Sequence, residues 1–281
     1  MGIRWRLALG LVLLLCWAGK ALGAEGAPDC ALSEPEQGTV VQIVDGETIT
    51  LADGSTVRLV GAKAPRPPSG TAEVDWSFSQ ETRDALEALT KGKTVSLRFG
   101  GSRTDRHGYL MAQVFVEGGP SPLWVQGELV SEGLARVYSL SDNAACTDAL
   151  LEREEEARTA RRGLWASGFY RVRDAVAVDR MRRLTGTYQI VEGGVLEVAD
   201  VQDWIFLNFD EDWRKDFTVV IDKSDAKAFA EAGLDLPSLE GKPIRVRGWM
   251  EWRYGPSITA THPEQIEVLE EDGTAKSPPS P

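Results

Sequence analysis

Histidine and cysteine are scarce in this chain of 281 residues, with only His107 and His262 of the first and three of the second. With no C-x-x-C spacing anywhere, a zinc centre of the Cys/His kind is not expected. Positive charge is also in deficit. Against 43 Asp and Glu there are 31 Lys and Arg, a formal net charge of −12. A chain this acidic is not built to attract polyanions along its whole surface, because affinity for nucleic acid comes largely from Lys and Arg contacts to phosphate. Long apolar runs are missing too. The one candidate, residues 7–17, falls short of the ~20 residues needed to span a bilayer. Arg4 and Arg6 precede it and the small residues Ala21-Leu22-Gly23-Ala24 follow it, so residues 1–23 read as a secretory signal and the protein as exported, periplasmic or secreted. Nothing after the signal reads as a membrane span.

Once the signal is set aside, Cys30 and Cys146 remain, and in an oxidising compartment an isolated pair reads as a disulfide. The acidity is uneven. Residues 37–170 carry 14 Lys and Arg against 18 Asp and Glu, a net of −4, while residues 184–270 carry 8 against 17, a net of −9. Binding of nucleic acid is therefore expected at the N-terminal region only, and a protein or glycan of the cell envelope suits the rest.

The hydrophobic pattern divides the chain. After a lead-in at residues 24–36, strand-like runs fall at residues 39–44, 48–51 and 56–60, with Asp53-Gly54 as a hairpin signal. Pro65, Pro67 and Pro68 open a loop. Residues 76–90 have helical spacing, stopped by Lys91-Gly92-Lys93. Strands are predicted again at 94–99 and 110–116, then helices at 123–131 and 143–162. Residues 171–183, with five arginines, read as a solvated linker. Residues 184–270 show further strands at 188–201, 204–209, 217–222, 244–252 and 257–261, with a short helix at 226–233. Residues 271–281 read as a disordered tail. In the C-terminal region the aromatics Trp204, Phe206, Phe209, Trp213, Trp249, Trp252 and Tyr254 are dense; on a barrel face they could stack bases or sugar rings, but alternation along strands favours a core.

Three motifs carry chemical information: Asp45-Gly46-Glu47-Thr48, the run V-R-L-V-G-A-K-A-P-R at residues 57–66, and R-T-D-R-H-G-Y at residues 103–109. Together they resemble the active-site segments of the staphylococcal nuclease (thermonuclease-like) family. The resemblance covers residues 38–165 and implies a mainly β fold with α: a five-stranded barrel of OB type with three packed helices. A second small, OB-like barrel is expected to follow it.

Position by position, the resemblance implies a family site that is largely dismantled. Family chemistry cleaves phosphodiesters with a calcium ion held by carboxylates, a glutamate base and two arginines. Arg58 matches the first arginine and Glu47 stands near a carboxylate ligand, with Asp45 beside it. Lys63 and Ala64 replace a carboxylate ligand and a threonine. Arg66 replaces the base, and an arginine accepts no proton near neutral pH. Tyr109 stands where the second arginine belongs. Calcium is therefore expected only if family activity persists, and a Lys63–Glu47 salt bridge is expected in place of the metal. Arg66, Arg103, Arg106, His107 and Tyr109 are the candidate phosphate-binding set, while Asp105 and Gly108 fit turn chemistry. The expected function is binding without cleavage. The alternatives are a working nuclease using Glu47 with Glu73 or Asp75, and an envelope assembly protein.

Overall fold

The computed structural model describes residues 28, 30–66, 77–212 and 216–270. The proposed signal, residues 67–76 with Glu73 and Asp75, Trp213 and the C-terminal tail lie outside the described residues.

The N-terminal barrel starts from a ten-residue strand, β1 (Glu36–Asp45), long enough to pair with two neighbours. Its first half pairs antiparallel with β5 (Thr94–Arg98) and its second half with β2 (Thr48–Leu51), with register shifts between Val40 and Asp45 where the strand bends. β2 continues into β3 (Thr56–Leu59) across the Asp53-Gly54 turn. β3 then pairs parallel with β6 (Leu110–Val116), which pairs with β5 and closes the ring. Alternate residues point inward and build one core, including Val40, Ile43, Ile49, Val57, Leu59, Val95, Leu97 and Val114. The predicted strands agree with these bounds to within one residue, except that β1 starts three residues before the expected run. β4 (Gly61–Lys63) and its antiparallel partner β8 (Arg136–Tyr138) were not anticipated as separate strands, because three residues carry too little periodicity to read.

Three α-helices pack on this barrel: α1 (Ser77–Thr90), α2 (Val125–Ser131) and α3 (Thr147–Thr159). In α1 the buried residues Thr82, Leu86 and Thr90 recur every fourth position and so share one face. Gly92, at φ 75°, ends it in the left-handed conformation that favours glycine. The predicted second helix begins as a two-residue strand, β7 (Leu123–Trp124), and α3 is shorter than residues 143–162. Cys30 and Cys146 form a disulfide, tying the lead-in to the start of α3.

The second β-rich region has eight strands in the order β11-β12-β13-β15-β14-β10-β9, with β16 also on β14. These are β9 (Arg173–Asp174), β10 (Tyr188–Gly194), β11 (Glu197–Val201), β12 (Trp204–Asn208), β13 (Thr218–Asp222), β14 (Pro243–Trp252), β15 (Pro256–Thr259) and β16 (Ile266–Val268). A short helix, α4 (Ala226–Glu231), precedes β14.

Two expectations are corrected here. Residues 171–183 are a solvated linker only in part: Arg171, Arg180, Arg182 and Arg183 are exposed, but the segment also contributes to the second sheet and core. β9 lies parallel to β10, and Ala175 and Met181 are buried in the second core, so the apolar residues among the arginines decide the outcome. The aromatic set is not a core. Phe209 is buried and Trp204 and Phe206 are half-buried, but Trp249, Trp252 and Tyr254 are 45 %, 37 % and 80 % exposed.

The two regions share a charged, buried seam. Arg247 on β14 donates to Glu154 on α3 at 2.7 Å, with both side chains about 1 % exposed, and also pairs with Glu267. Burial works against the Arg247 charge, but Glu154 and Glu267 outweigh it and raise its pKa. Glu154 also accepts the Val137 N–H at 2.7 Å. Arg245 adds ion pairs to Glu155 and Glu192. Arg136 donates to the Tyr188 carbonyl, and Tyr188 returns its hydroxyl to the Val137 carbonyl.

Candidate functional site

The motif residues gather at one end of the first barrel. β1 ends at Asp45, and the turn that follows places Glu47 at the start of β2. Gly46 is required there because a Cβ would come within 2.8 Å of the Ala64 Cβ and 3.0 Å of Thr82. That close approach lets Glu47 reach the segment after β4. Its Oε2 accepts the Ala64 N–H at 2.8 Å and its Oε1 accepts from Arg66 at 2.6 Å. Arg66 also reaches Asp45 Oδ2 at 3.2 Å, and Asp45 Oδ1 accepts the Glu47 N–H at 2.9 Å. Glu47 is only 7 % exposed, so its charge needs this neutralisation.

The partner of Glu47 is therefore Arg66, not Lys63, which corrects the expected salt bridge. Lys63 sits instead between two rings, with Nζ 4.9 Å from the centre of Tyr138 and 5.0 Å from that of Trp249 in the second region. Burial lowers its pKa, opposed by Glu47 and reinforced by Arg66, Arg136 and Arg58. A single terminal nitrogen of Arg66, Nη2, reaches both carboxylates.

Arg58, in the middle of β3, lies 3.6 Å from Asp105 and keeps 36 % of its side chain exposed. Asp105 has the turn role expected of it, accepting the N–H groups of His107 at 2.8 Å and Tyr109 at 3.0 Å. Burial works against its charge, yet those two N–H groups and Arg58 hold its pKa below the usual carboxylate value. Pairing with Arg58 is a second role that the sequence did not disclose. Tyr109 lies 6.0 Å from Arg58 and pairs with the His107 ring. Arg106 Nε lies 3.1 Å from His107 Nε2, so these three side chains form one exposed group. Arg103 is not part of it. Both its terminal nitrogens donate to Glu36 at 2.6 Å, and its guanidinium covers Phe99.

The sequence model of staphylococcal nuclease homologues matches residues 56–167. This region belongs to the staphylococcal nuclease-like family. The chain is 31 % identical to endonuclease YhcR of Bacillus subtilis (strain 168) over 157 residues, which are 52 % of this chain and 13 % of that protein. It is 31 % identical to the SPbeta prophage-derived endonuclease YokF of the same organism over 139 residues, covering 47 % of this chain and 45 % of the relative. For endonuclease YncB, also of B. subtilis, the figures are 30 % over 137 residues, 47 % and 63 %. The chain thus spans less than two thirds of the length of each of these three.

The nuclease-like domain places its residues poorly for the family's calcium ion. Both Glu47 oxygens are engaged, Asp45 is shared with Arg66, and Lys63 adds a cation a few residues away. Among the described residues no group of three or more Asp, Glu, His or Cys is arranged to hold a metal. A hard divalent cation takes several anionic oxygens, and here Arg66 occupies one oxygen of each of the two carboxylates.

Proposed function

We propose that this chain is an exported nuclease-fold protein that binds an anionic ligand at its first barrel and does not cleave it by the family's metal-dependent route. The observation that carries the reading is Arg66 bridging Glu47 and Asp45. The guanidinium supplies the positive charge the two carboxylates need, at the sequence position where the family reaction needs a base. Arg58, half-buried on β3 and 3.6 Å from Asp105, is a further cation suited to holding a phosphate. Export is supported by the signal-like N-terminus and by the Cys30–Cys146 disulfide.

The relatives named as endonucleases favour a second reading, a working nuclease that recruits Glu73 or Asp75. A cleavage assay on single-stranded DNA with calcium, magnesium or manganese separates the two, with Arg58→Ala as control. The binding reading expects no metal-dependent cleavage above that control. Cleavage that needs metal and disappears in Arg58→Ala overturns it.

A further inference from the structure

The ladder of β4 and β8 stands apart from both larger sheets and is only three residue pairs long. A two-stranded pair of that length does not hold its own geometry, so the groups that grip it decide where it lies. Ala62 on β4 faces Val137 on β8, and both main-chain polar groups of Val137 are bonded away from β4. The N–H of Val137 goes to Glu154 Oε1 at 2.7 Å, and its carbonyl accepts the Tyr188 hydroxyl at 3.2 Å. Arg136, the residue before it, donates to the Tyr188 carbonyl at 2.6 Å. Glu154 is oriented in turn by Arg247, at 2.7 Å, with both side chains about 1 % exposed. Tyr188 and Arg247 lie on the paired strands β10 and β14 of the second region. The second region therefore grips β8 from two sides.

Strand β4 is gripped by the same helix that carries Glu154. Leu150 and Glu154 are four residues apart on α3 and share a face. Gly61, at φ 85°, lies so close to Leu150 that a Cβ would come within 2.5 Å of its Cδ1. At the other end of β4 the Lys63 Nζ lies 4.9 Å from the centre of the Tyr138 ring and 5.0 Å from that of Trp249 on β14. The next residue, Ala64, is buried and gives its N–H to Glu47 Oε2 at 2.8 Å. The ladder thus ends on the acidic turn.

We propose that Arg247 and Tyr188 of the second region are positioning residues for the acidic turn, holding the Ala64 N–H against Glu47 through Glu154, Val137 and the β4–β8 ladder. The site of the first barrel is then built by both regions. Buried hydrogen bonds of this kind are little screened, and losing one partner displaces the group it leaves behind. The opposite arrangement, a ladder fixed by its own pairing and by Leu150 alone, leaves the Ala64 N–H indifferent to both residues. What the site binds does not enter, so the positioning role stands or falls apart from the binding reading.

The experiment is nuclear magnetic resonance of the full chain, comparing the wild type with Arg247→Met and Tyr188→Phe. The reporter is the Ala64 amide proton, whose hydrogen bond to Glu47 involves neither substituted residue. Its chemical shift follows the length of that bond in the folded protein, so a loss of overall stability does not move it. The amide protons of Val95 and Leu97 in β5, which pairs with β1 and β6, serve as internal references. The Ala64 signal is expected to move upfield in both variants, further in Arg247→Met, while the two references keep their positions. Tyr188→Phe retains the ring and loses only the hydroxyl that Val137 accepts, so it decides the matter alone if Arg247→Met does not fold. An Ala64 signal at its wild-type position in the folded variants overturns the positioning role. Equal movement of Ala64 and the references also overturns it, because it marks a general rearrangement of the barrel.

Discussion

Arg66 Nη2 lies 2.6 Å from Glu47 and 3.2 Å from Asp45, so the acidic turn of the barrel carries its own cation. This side chain neutralises both carboxylates of the turn. Calorimetric titration of calcium into the wild type is expected to give no binding heat at this turn. Arg66→Ala removes the charge from a nearly buried carboxylate. Because Arg66 itself is half exposed, the expected loss of stability is only about 1 kcal/mol, measured by urea denaturation. Tight calcium binding by the wild type would contradict this account of the turn.

The Arg247–Glu154 pair predicts a larger effect. Both side chains are almost inaccessible, and removing one partner strands the other's charge. Glu154→Gln and Arg247→Met are each expected to destabilise the protein by about 3–5 kcal/mol in chemical denaturation. The double substitution should cost less than the sum, because it leaves no orphaned charge at the pair. Strict additivity would show that the two residues act separately.

A pH dependence follows from His262, whose ring lies 2.8 Å from the Ser139 hydroxyl across the seam and 3.0 Å from Thr261. Burial lowers its pKa from 6.5 to about 4, opposed by Asp142 and by the bond to Ser139. The unfolded chain takes up a proton near pH 6.5, whereas the folded one does so only near 4. The stability associated with the neutral ring is therefore complete above pH 6.5 and is lost as pH falls from there to about 4. The loss amounts to at most about 3 kcal/mol. His262→Gln should flatten this part of the stability–pH curve, and an unchanged curve in that variant would remove His262 from the account.

Reduction of Cys30–Cys146 opens a constraint spanning 116 residues of sequence. Chain-entropy arguments put its contribution at up to about 5 kcal/mol. The Cys30→Ser/Cys146→Ser protein is expected to melt well below the wild type, and dithiothreitol should lower the wild-type melting temperature to match. Equal melting temperatures with and without the bridge would show that it contributes nothing to stability.

The barrel was legible in advance because strands β2, β3 and β5 alternate apolar and polar residues, β6 is an apolar run broken only by Gln113, and the turns carry Asp-Gly or Gly. The motif positions were legible because they are short and contiguous. The partners were not. Lys63 and Arg66 are both cations within three residues of each other, and no sequence pattern says which one reaches Glu47. Distance and side-chain reach decided for Arg66, and the second region then supplied Trp249 to cover Lys63. The arginines of residues 171–183 likewise hid Ala175 and Met181, whose burial depends on strands far along the chain. Exposed tryptophans on β14 read as core from alternation alone, since periodicity reports that a face is apolar and not what covers it. The nuclease-type barrel and the cations Lys63 and Arg66 near its acidic turn could be read from the chain, because local periodicity and side-chain chemistry are properties of short segments. Which cation neutralises the acidic turn, and which meets an aromatic ring from the second region, is settled by the fold, because pairing is set by distances between segments that the sequence keeps far apart.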